Sequence, residues 1–299
     1  MNPLVSLCII TRNRPEELAA TLDNVIQQDY QQSEIIVLEN GSDEKVAGVN
    51  AEECKRHRIM YLVSPTNLGV SGGRTKVLTV AKGDVIIEID DDAVFADNSA
   101  VSNVVEYLEN NPSVGIMAFK ILNFHSLTLN KDEYPFKRYN HHDPDEQAET
   151  SWFIGAGHAF HRKVIDSIGY YRDFFPYGHE EQDFSLRAIN AGFEIHYFPK
   201  VVVFHKKSQL SRVSDPVQFS VINYKNRVKV AMLNLPRWSV LSYAIIWFFY
   251  HVIKYKNARF IFFAASKIKS EFSYIRDNRR VVSNRTVRKL FRLKGQLFY

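Results

Sequence analysis

Two kinds of segment, each with its own pattern of apolar and polar residues, alternate over the first 120 residues of the chain. Short runs rich in β-branched residues predict strands, and the segments between them carry apolar residues at helical spacing. Residues 15–28 illustrate the helical kind, because Pro15 suits the first turn and Glu16 and Glu17 suit the positive end of a helix dipole. Strands that alternate with helices indicate an α/β fold with a mainly parallel sheet flanked by helices. The predicted strands are residues 5–11, 34–39, 59–63 and 84–89.

The pattern changes after residue 120. Residues 121–150 are polar and aperiodic, which predicts a long surface loop over or near a functional site. Apolar periodicity then returns, with Gly192 as the expected end of a helix. The elements predicted there are a strand at 152–160, a helix at 181–191 and a strand at 195–204.

The C-terminal part of the chain differs from the rest in residue composition and in charge. From about residue 216 it consists of long helical stretches rich in aromatic and basic residues. Residues 254–299 contain 13 Lys and Arg but 2 Asp and Glu, a net +11 that leaves −6 for the remainder of a chain whose total is +5. We therefore predict an α/β domain over residues 1–215 and a helical, basic region over residues 216–299.

Composition narrows the class of protein. With 299 residues, 45% of them hydrophobic, the chain can fill a sizeable core, which excludes disorder as the main state. A basic tail alone gives non-specific affinity for nucleic acid, and the acidic remainder would oppose it, so we predict no specific nucleic-acid partner. Two cysteines supply neither a disulfide framework nor a zinc cluster, which favours a reducing cytoplasm.

We expect neither a cleaved signal nor a membrane-spanning helix in this sequence. The first apolar run, residues 4–10, precedes Arg12 and Arg14, whereas a secretory signal carries its basic residues first. The longest apolar segment, residues 240–253, has 14 residues against the ~20 that cross a bilayer core. With basic neighbours such as Lys254, it has the composition of helices that lie in an anionic membrane interface. Packing as a soluble helical domain and contact with a second subunit of a homo-oligomer are the alternatives.

Three consecutive carboxylates, Asp90, Asp91 and Asp92, follow the apolar strand predicted at 84–89. At the mouth of a buried strand they repel one another and lose hydration, so a cation is the usual compensation. Oxygen ligands suit Mg²⁺ or Mn²⁺, which proteins commonly share with substrate phosphates. A solvated acidic turn or a helix cap is the alternative. The position after a buried strand favours the metal site.

Four segments between residues 4 and 97 occur together in one order. They are LCIITRNRP at 7–15, EIIVLENGSD at 34–43, NLGVSGGR at 67–74 and DDD at 90–92. In this order they resemble the inverting glycosyltransferases of family 2, of the kind that builds bacterial cell-surface polysaccharides. The resemblance implies the GT-A nucleotide-sugar-binding fold and a nucleotide-diphosphate sugar as donor, UDP-linked in preference to dTDP- or GDP-linked.

Two later segments extend the resemblance. FIGAGHAF at 153–160 is similar to the family's glycine-containing strand beside the donor sugar, and YGHEEQDFSLR at 177–187 resembles the acidic segment that carries the catalytic base. Inverting transfer needs a carboxylate that takes the acceptor proton. The family usually has Glu-Asp where this chain has Glu180-Glu181, so Glu181 matches the base position, with Glu180 and Asp183 as alternatives. The favourable placement of negative charge at a helix N-terminus would explain all three without catalysis.

The resemblance also implies a metal site. Asp92 and Asp90 would hold Mn²⁺ or Mg²⁺, and His205, which follows a predicted strand, would add an imidazole ligand. Four residues just beyond His205 could reach the diphosphate on a mobile loop, although a solvated charge run would explain them equally well. These are Lys206, Lys207, Ser208 and Arg212.

A donor site is implied by the same motifs. Glu39 at a strand end can accept hydrogen bonds from a base or ribose, although an exposed strand-end charge is the alternative. A glycine-rich loop at 69–73 would let the backbone approach a ligand, and Arg74 can pair with a diphosphate. The implied donor-binding residues are Thr11, Arg12, Asn13, Pro15, Glu39, Asn40, Asn67, Gly69, Gly73, Arg74, Asp90, Asp91 and Gly157.

The sequence thus predicts a metal-dependent transferase that moves a sugar to a hydroxyl of a glycan or lipid-linked acceptor, in the cytoplasm and peripheral at the inner face of the cell membrane. A sugar nucleotidyltransferase is one alternative, but it would need a basic, glycine-rich phosphate loop near the N-terminus, and residues 11–15 lack glycine. A non-catalytic nucleotide-sugar or glycan-binding module is the other, since it would keep the acidic triplet without needing Glu181.

Overall fold

The computed structural model describes residues 2–136, 142–208, 215–256, 258 and 260–295. Within these residues the strands are β1 (Val5–Thr11), β2 (Ser33–Asn40), β3 (Met60–Ser64), β4 (Val85–Ile89), β5 (Ala93–Phe95), β6 (Val114–Asn123), β7 (Ala148–Thr150), β8 (Gly157–His161) and β9 (Glu194–His205). The α-helices are α1 (Pro15–Ile26), α2 (Glu44–Arg56), α3 (Gly69–Leu78), α4 (Ala100–Asn110), α5 (Arg162–Ile168), α6 (Glu180–Asn190), α7 (Pro216–Asn234), α8 (Arg237–Tyr255), α9 (Phe260–Ser270), α10 (Phe272–Asn278) and α11 (Asn284–Arg292).

The described strands join one sheet in the order β3-β2-β1-β4-β8-β6-β9-β5, with β7 paired to β9. The first four strands of this order run parallel, as the alternation of strands and helices predicts. β8 runs antiparallel to β4 and β6, and β5 and β7 run antiparallel to β9, which pairs parallel with β6. The predicted α/β fold with helices around a sheet is confirmed. The sheet is parallel on one side of β4 and mixed on the other.

Helices cover both faces of the sheet, because successive residues of a strand point to opposite sides. Ile86 of β4 packs in one hydrophobic cluster with α3, α6 and C-terminal helices, and the next residue, Ile87, packs in a second cluster with α1 and α4. Leu233 of α7 and Leu290 of α11 belong to the first cluster. The C-terminal helices therefore share a core with the sheet, and the division into domains near residue 215 stays a prediction.

Two predictions of local structure were wrong. The strand expected at 152–160 is confined to β8, because Gly155 lies in a turn where its carbonyl accepts a hydrogen bond from Arg74 Nη2 at 3.0 Å. The glycine-rich segment expected as a loop begins α3 instead. Its first N–H groups are satisfied by side chains, since Asn40 Oδ1 accepts from the Leu68 amide at 2.9 Å and Asn67 Oδ1 from the Gly69 amide at 2.8 Å.

The polar segment at 121–150 contains more structure than the expected loop. It includes the end of β6, a short 3₁₀ helix at Lys131–Glu133 and β7, while residues 137–141 lie outside the described part of the chain. The predicted helix at 181–191 is confirmed as α6.

Asp183 joins three parts of the fold. It lies in the first turn of α6, and its side chain is 1% exposed. Its carboxylate accepts hydrogen bonds from Arg172, from Arg187 Nε at 2.9 Å and from Asn234 Nδ2 at 2.8 Å. Asn234 belongs to α7, and Arg172 precedes α6. This carboxylate therefore ties α6 to α7 and to the segment that leads into α6.

We expect Asp183→Asn to lower the free energy of unfolding by about 3 kcal/mol, because two largely buried guanidinium groups lose their carboxylate. Urea denaturation followed by circular dichroism measures this change. Asp166→Asn, at an exposed carboxylate of α5, is the matched control and should change stability by less than about 0.5 kcal/mol. Equal stability of the two variants would contradict the role of Asp183.

Candidate active site

A cleft of about 440 Å³ opens at the carboxyl ends of β1, β2 and β4. These strands are parallel neighbours, so the segments that follow them meet at one edge of the sheet. The start of α6 and Phe219, Ile222 and Asn223 of α7 also line the cleft. The predicted site residues in the lining are Thr11, Arg12, Asn40, Asn67, Gly69, Arg74, Asp90, Asp91, Asp92, Glu180, Glu181 and His205.

Asp90, Asp92 and His205 place their potential ligand atoms within 4.8 Å of one another. Asp92 Oδ1 lies 3.1 Å, and Asp90 Oδ2 3.9 Å, from His205 Nε2. The pairing of β5 with β9 brings them together, because it sets Ala93, the residue after the triplet, opposite His205. Two carboxylates and one imidazole form a donor set that suits Mn²⁺, and their spacing fits a single ion.

The electrostatics of this group match a cation site. Burial opposes a charged His205, but hydrogen bonds with Asp92 and Glu133 raise the pKa of His205 to about 10. Burial also favours a neutral Asp92, yet the hydrogen bond and charge of His205 lower the pKa of Asp92 to about 2. The Asp92 carboxylate therefore stays ionised and needs positive charge beside it. A divalent ion would supply that charge in place of the imidazole proton.

Glu133 orients His205 from the side away from the aspartates. Its Oε1 lies 2.6 Å from His205 Nδ1, so the Nε2 atom faces the carboxylates. Asn130 Nδ2 donates to Glu133 Oε2 at 2.7 Å, and Lys207 Nζ lies 3.3 Å from the same oxygen. No motif marked Glu133 in the polar segment, because its role depends on contacts with residues distant in the sequence.

Asp91 pairs with a cation that had no predicted role. Arg14 Nη1 lies 2.8 Å from Asp91 Oδ1 and 3.5 Å from Asp92 Oδ2. Burial raises the pKa of Asp91 to about 7, although the charge of Arg14 opposes the shift. Arg14 comes from the loop between β1 and α1, so the opening motif contributes charge compensation to the triplet.

Arg74 lies between the group of Asp90, Asp92 and His205 and the first turn of α6. Its Nη2 donates to the carbonyl of Gly155 at 3.0 Å and lies 3.6 Å from Asp90 Oδ1, while Nη1 lies 3.8 Å from Glu88 Oε2. A Cβ atom at Gly155 would lie 2.7 Å from Arg74 Nη2 and closer still to Glu181 Oε1. Glycine at 155 therefore lets the guanidinium and the carboxylate approach the same stretch of backbone.

Glu88 anchors Arg74 from within the sheet. It is buried in β4, where its Oε2 accepts a hydrogen bond from Tyr171 at 2.6 Å and lies 2.8 Å from His158 Nε2. Burial raises the pKa of this carboxyl, but the charges of Arg74 and His158 outweigh burial and lower the pKa below its usual range. Neither Glu88 nor His158 was predicted as a site residue. The available signal was an acidic residue inside an otherwise apolar strand.

Glu180 and Glu181 lie side by side in the first turn of α6 but in different surroundings. Glu180 is 3% exposed, and burial together with the negative charge of Glu181 holds the pKa of Glu180 well above its usual range. Glu181 is partly exposed, and its Oε1 lies against Gly155 at the cleft. Of the two carboxyl groups, Glu181 is the one more accessible to a substrate.

Helix α7 positions the segment that leads into α6. Asn226 Nδ2 donates to the carbonyl oxygens of Tyr177 and Gly178 at 2.8 and 3.1 Å. Lys229 Nζ donates to the carbonyl of Phe174 at 2.7 Å. Gly178 has a φ of 75°, which glycine adopts at low cost and which turns the chain into α6. The segment that leads into α6 is therefore held by a helix of the C-terminal region.

Six predicted site residues lie outside the cleft lining. Glu39 is fully buried, and its carboxylate accepts hydrogen bonds from Asn50, Tyr61 and Ser42. The Asn13 amide donates to Ser42 Oγ at 2.7 Å, which ties the loop after β1 to the loop after β2. A role of Glu39 or Asn13 in donor binding stays a prediction, and both organise the loops beside the cleft.

The remaining four contribute to packing in this structure. Pro15 opens α1, Asp183 holds its two arginines, and a Cβ at Gly73 would lie 3.1 Å from Ile10 Cδ1 between α3 and β1. A Cβ at Gly157 would lie 3.0 Å from Val203 Cγ2, so the space beside this glycine is filled within the sheet.

Of the additional candidates for contact with the diphosphate, three have partners within the protein, and Arg212 lies outside the described residues. Lys206 pairs with Glu17, Lys207 with Glu133, and the Ser208 amide donates to Asp92.

Known proteins resemble this chain over most of its length. The family described as Glycosyl transferase family 2 matches residues 6–169. An uncharacterized protein of Haemophilus influenzae is 29% identical over 170 residues, which are 56% of this chain and 91% of that protein. The UDP-Glc:alpha-D-GlcNAc-diphosphoundecaprenol beta-1,3-glucosyltransferase WfgD of Escherichia coli is 24% identical over 269 residues, which are 86% of this chain and 98% of that protein. The mannosyltransferase PcManGT from Pyrobaculum calidifontis, solved with GDP-Man and Mn2+, shares the fold with a TM-score of 0.61 at 16% identity, over 98% of this chain and 79% of that chain.

We expect Glu133→Gln to weaken Mn²⁺ binding about ten-fold, because the amide orients the imidazole of His205 less firmly than the carboxylate does. Titration with Mn²⁺ alone, followed by electron paramagnetic resonance, measures the affinity without substrate. Glu146→Gln, at an exposed position of the same segment, is the matched control and should bind Mn²⁺ as the wild type does. Unchanged affinity in Glu133→Gln would show that Glu133 does not orient a metal ligand.

Proposed function

The chain belongs to glycosyltransferase family 2, has the GT-A fold and is a transferase enzyme, and we propose that it moves a sugar from a nucleotide-diphosphate sugar to an acceptor hydroxyl with inversion. One observation carries the proposal. Arg74 lies 3.6 Å from Asp90, one of the three proposed metal ligands. Arg74 and Glu181, the proposed base, both lie against the backbone of Gly155. A diphosphate bound beside Arg74 would thus have a carboxylate base in the same cleft. Family membership sets aside the nucleotidyltransferase and the non-catalytic binding module.

Asp90, Asp92 and His205 are the proposed ligands of Mn²⁺ or Mg²⁺. Such an ion, when bound, neutralises negative charge that develops on the leaving diphosphate. Arg74 would add a second, fixed positive charge, since its guanidinium is held by the carbonyl of Gly155 and faces Glu88. Because these contacts hold the guanidinium in one position, it would need little reorganisation during the reaction.

Glu181 is the proposed catalytic base. It would take the proton of the acceptor hydroxyl as the oxygen attacks the anomeric carbon, and the nucleoside diphosphate leaves with the electrons of the broken bond. Its position at Gly155 beside Arg74 supports this role. The raised pKa of Glu180 keeps that carboxyl protonated more readily, and the two arginines around Asp183 already bind its carboxylate, so both are weaker candidates.

The donor and acceptor are proposed from a relative. The name of the Escherichia coli protein WfgD gives UDP-glucose as its donor and a diphosphoundecaprenol-linked sugar as its acceptor. We propose by analogy that this chain uses a UDP-sugar and a glycan or lipid-linked acceptor in cell-surface polysaccharide synthesis. Because such acceptors are held in a bilayer, the corresponding location is the cytoplasmic face of the cell membrane.

We expect Glu181→Gln to lower kcat about a thousand-fold with donor affinity near that of the wild type, because the amide cannot accept the proton. Steady-state kinetics and calorimetric titration with the donor measure the two quantities. Glu52→Gln, at an exposed position of α2, is the matched control. Glu180→Gln should lower kcat less than about ten-fold, because an amide imitates a neutral carboxyl group. A larger loss in Glu180→Gln than in Glu181→Gln would assign the base to Glu180.

A panel of UDP-, dTDP- and GDP-sugars with Mn²⁺ tests the donor and the metal together. We expect release of UDP that requires Mn²⁺, stops when a chelator is added and is lost in Asp92→Asn, because one ligand is removed. Chromatography of the released nucleotides measures the outcome. Release of another nucleoside diphosphate would correct the donor. Release that a chelator does not affect would contradict the metal dependence, and no release from any donor would contradict the reaction.

A further inference from the structure

A large apolar surface is exposed on helix α8. Leu241, Ile245, Phe249 and Ile253 occur at four-residue spacing, and these residues are 65%, 48%, 57% and 75% exposed. An α-helix has about 3.6 residues per turn, so this spacing places the four side chains on one face. Other exposed large side chains of α8 are Trp238, Ile246 and Tyr250.

The opposite face of α8 is also apolar, and it packs against the rest of the protein. Tyr243 is buried in the main core cluster, and Trp247 packs against the same cluster and lies under the guanidinium of Arg227 at 3.5 Å. Residues 238–253 contain no charged side chain. A helix with one packed face normally turns polar residues to water. An outward apolar face of this length therefore indicates a partner or a lipid phase.

Helix α9 adds a second exposed apolar site. Phe262 and Phe263 are 75% and 62% exposed, whereas Phe260 is buried and meets the ring of Tyr224 of α7 at 5.3 Å. Phe248 of α8 lies 6.0 Å from the ring of Phe260. Helices α8 and α9 therefore pack together on α7, and each keeps apolar side chains on its outer surface.

The charge around these helices identifies the kind of partner. Residues 237–270 contain six Lys and Arg and no Asp or Glu. Lys267 and Lys269 of α9 are exposed, and the next acidic residue, Glu271, is bound by Lys225 and Lys229 at 3.4 and 3.0 Å. Anionic lipid headgroups complement such a surface. A second copy of the chain would instead oppose one basic surface with another, which disfavours a self-interface.

We propose that α8 and α9 form a docking face that lies in the interface of an anionic lipid bilayer. The apolar row would enter the boundary between headgroups and acyl chains, and the lysines would contact the headgroups. Among the described helices, none combines the length and the apolarity that a membrane span requires.

The docking face is connected to the cleft through α7. Phe219 and Ile222 of α7 line the cleft, and other residues of the same helix pack against α8 and α9. Docking would therefore hold the cleft close to a bilayer that contains the acceptor. This last step rests on the proposed function, whereas lipid binding itself does not.

Co-sedimentation of the full chain with vesicles tests the docking face. Phosphatidylcholine vesicles with roughly one quarter phosphatidylglycerol should bind the chain at low salt, and pure phosphatidylcholine should bind it about ten-fold less. Leu241→Glu combined with Phe249→Glu should weaken binding to the anionic vesicles about ten-fold or more, because two charges would enter the apolar boundary. Lys267→Glu combined with Lys269→Glu should weaken binding to anionic vesicles alone. Val49→Glu, at a 59% exposed position of α2, is the matched control and should bind as the wild type does.

Nucleotide release from a soluble donor is measured on the same preparations and should be equal in the wild type and all these variants. A wild-type chain that never sediments with anionic vesicles overturns the proposal, whether or not it releases nucleotide. Binding by the Leu241→Glu and Phe249→Glu variant equal to the wild type also overturns it. Sedimentation velocity supplies the third outcome: a dimer that this variant dissociates, without vesicle binding, would make the face a subunit interface. Absent nucleotide release with intact vesicle binding would refute the proposed function and leave the docking face standing.

Discussion

Three adjacent carboxylates at the end of β4 impose the main electrostatic constraint on this structure. They leave a buried strand together, and without compensation their mutual repulsion and lost hydration would destabilise the edge of the sheet. Each lies beside a cationic side chain, and these side chains come from α3, from the loop before α1 and from the end of β9, which are far apart in the sequence. The pairs are Asp90 with Arg74, Asp91 with Arg14, and Asp92 with His205. The cleft is the place where these elements meet.

A second layer of buried acids supports these cations. Glu133 lies behind His205 and Glu88 behind Arg74, and the positive charge of the partners lowers the pKa of both carboxyl groups despite their burial. These contacts hold the positive groups in place, as the proposed reaction would require for stabilising charge that develops on a leaving diphosphate. Asn226 of α7 likewise holds the segment that leads into α6, through hydrogen bonds to two of its carbonyl oxygens.

Much of the fold could be predicted, because local patterns carry it. Alternation of apolar runs and helical segments predicts the parallel strands β1 to β4, and the spacing of the motifs predicts which loops follow them. The family resemblance assigned the triplet, Arg74 and Asn40 to one site, and the structure brings them together because the carboxyl ends of parallel neighbours meet. His205 joined them through the family resemblance, and its strand pairing with β5 explains why.

The fold class and the acidic triplet can be predicted from local patterns, because each depends on residues that are neighbours in the chain, and the family resemblance adds the candidate bases. Which acidic side chains already have hydrogen-bond partners, and which are exposed, depends on the tertiary structure. Glu39 accepts hydrogen bonds from Asn50 and Tyr61, and Glu180 is buried whereas Glu181 is partly exposed at the cleft. No local sequence pattern contains these differences. The tertiary structure also decided the orientation of α8. That helix is apolar on all sides in sequence, and only its packing on α7 determines which side remains exposed.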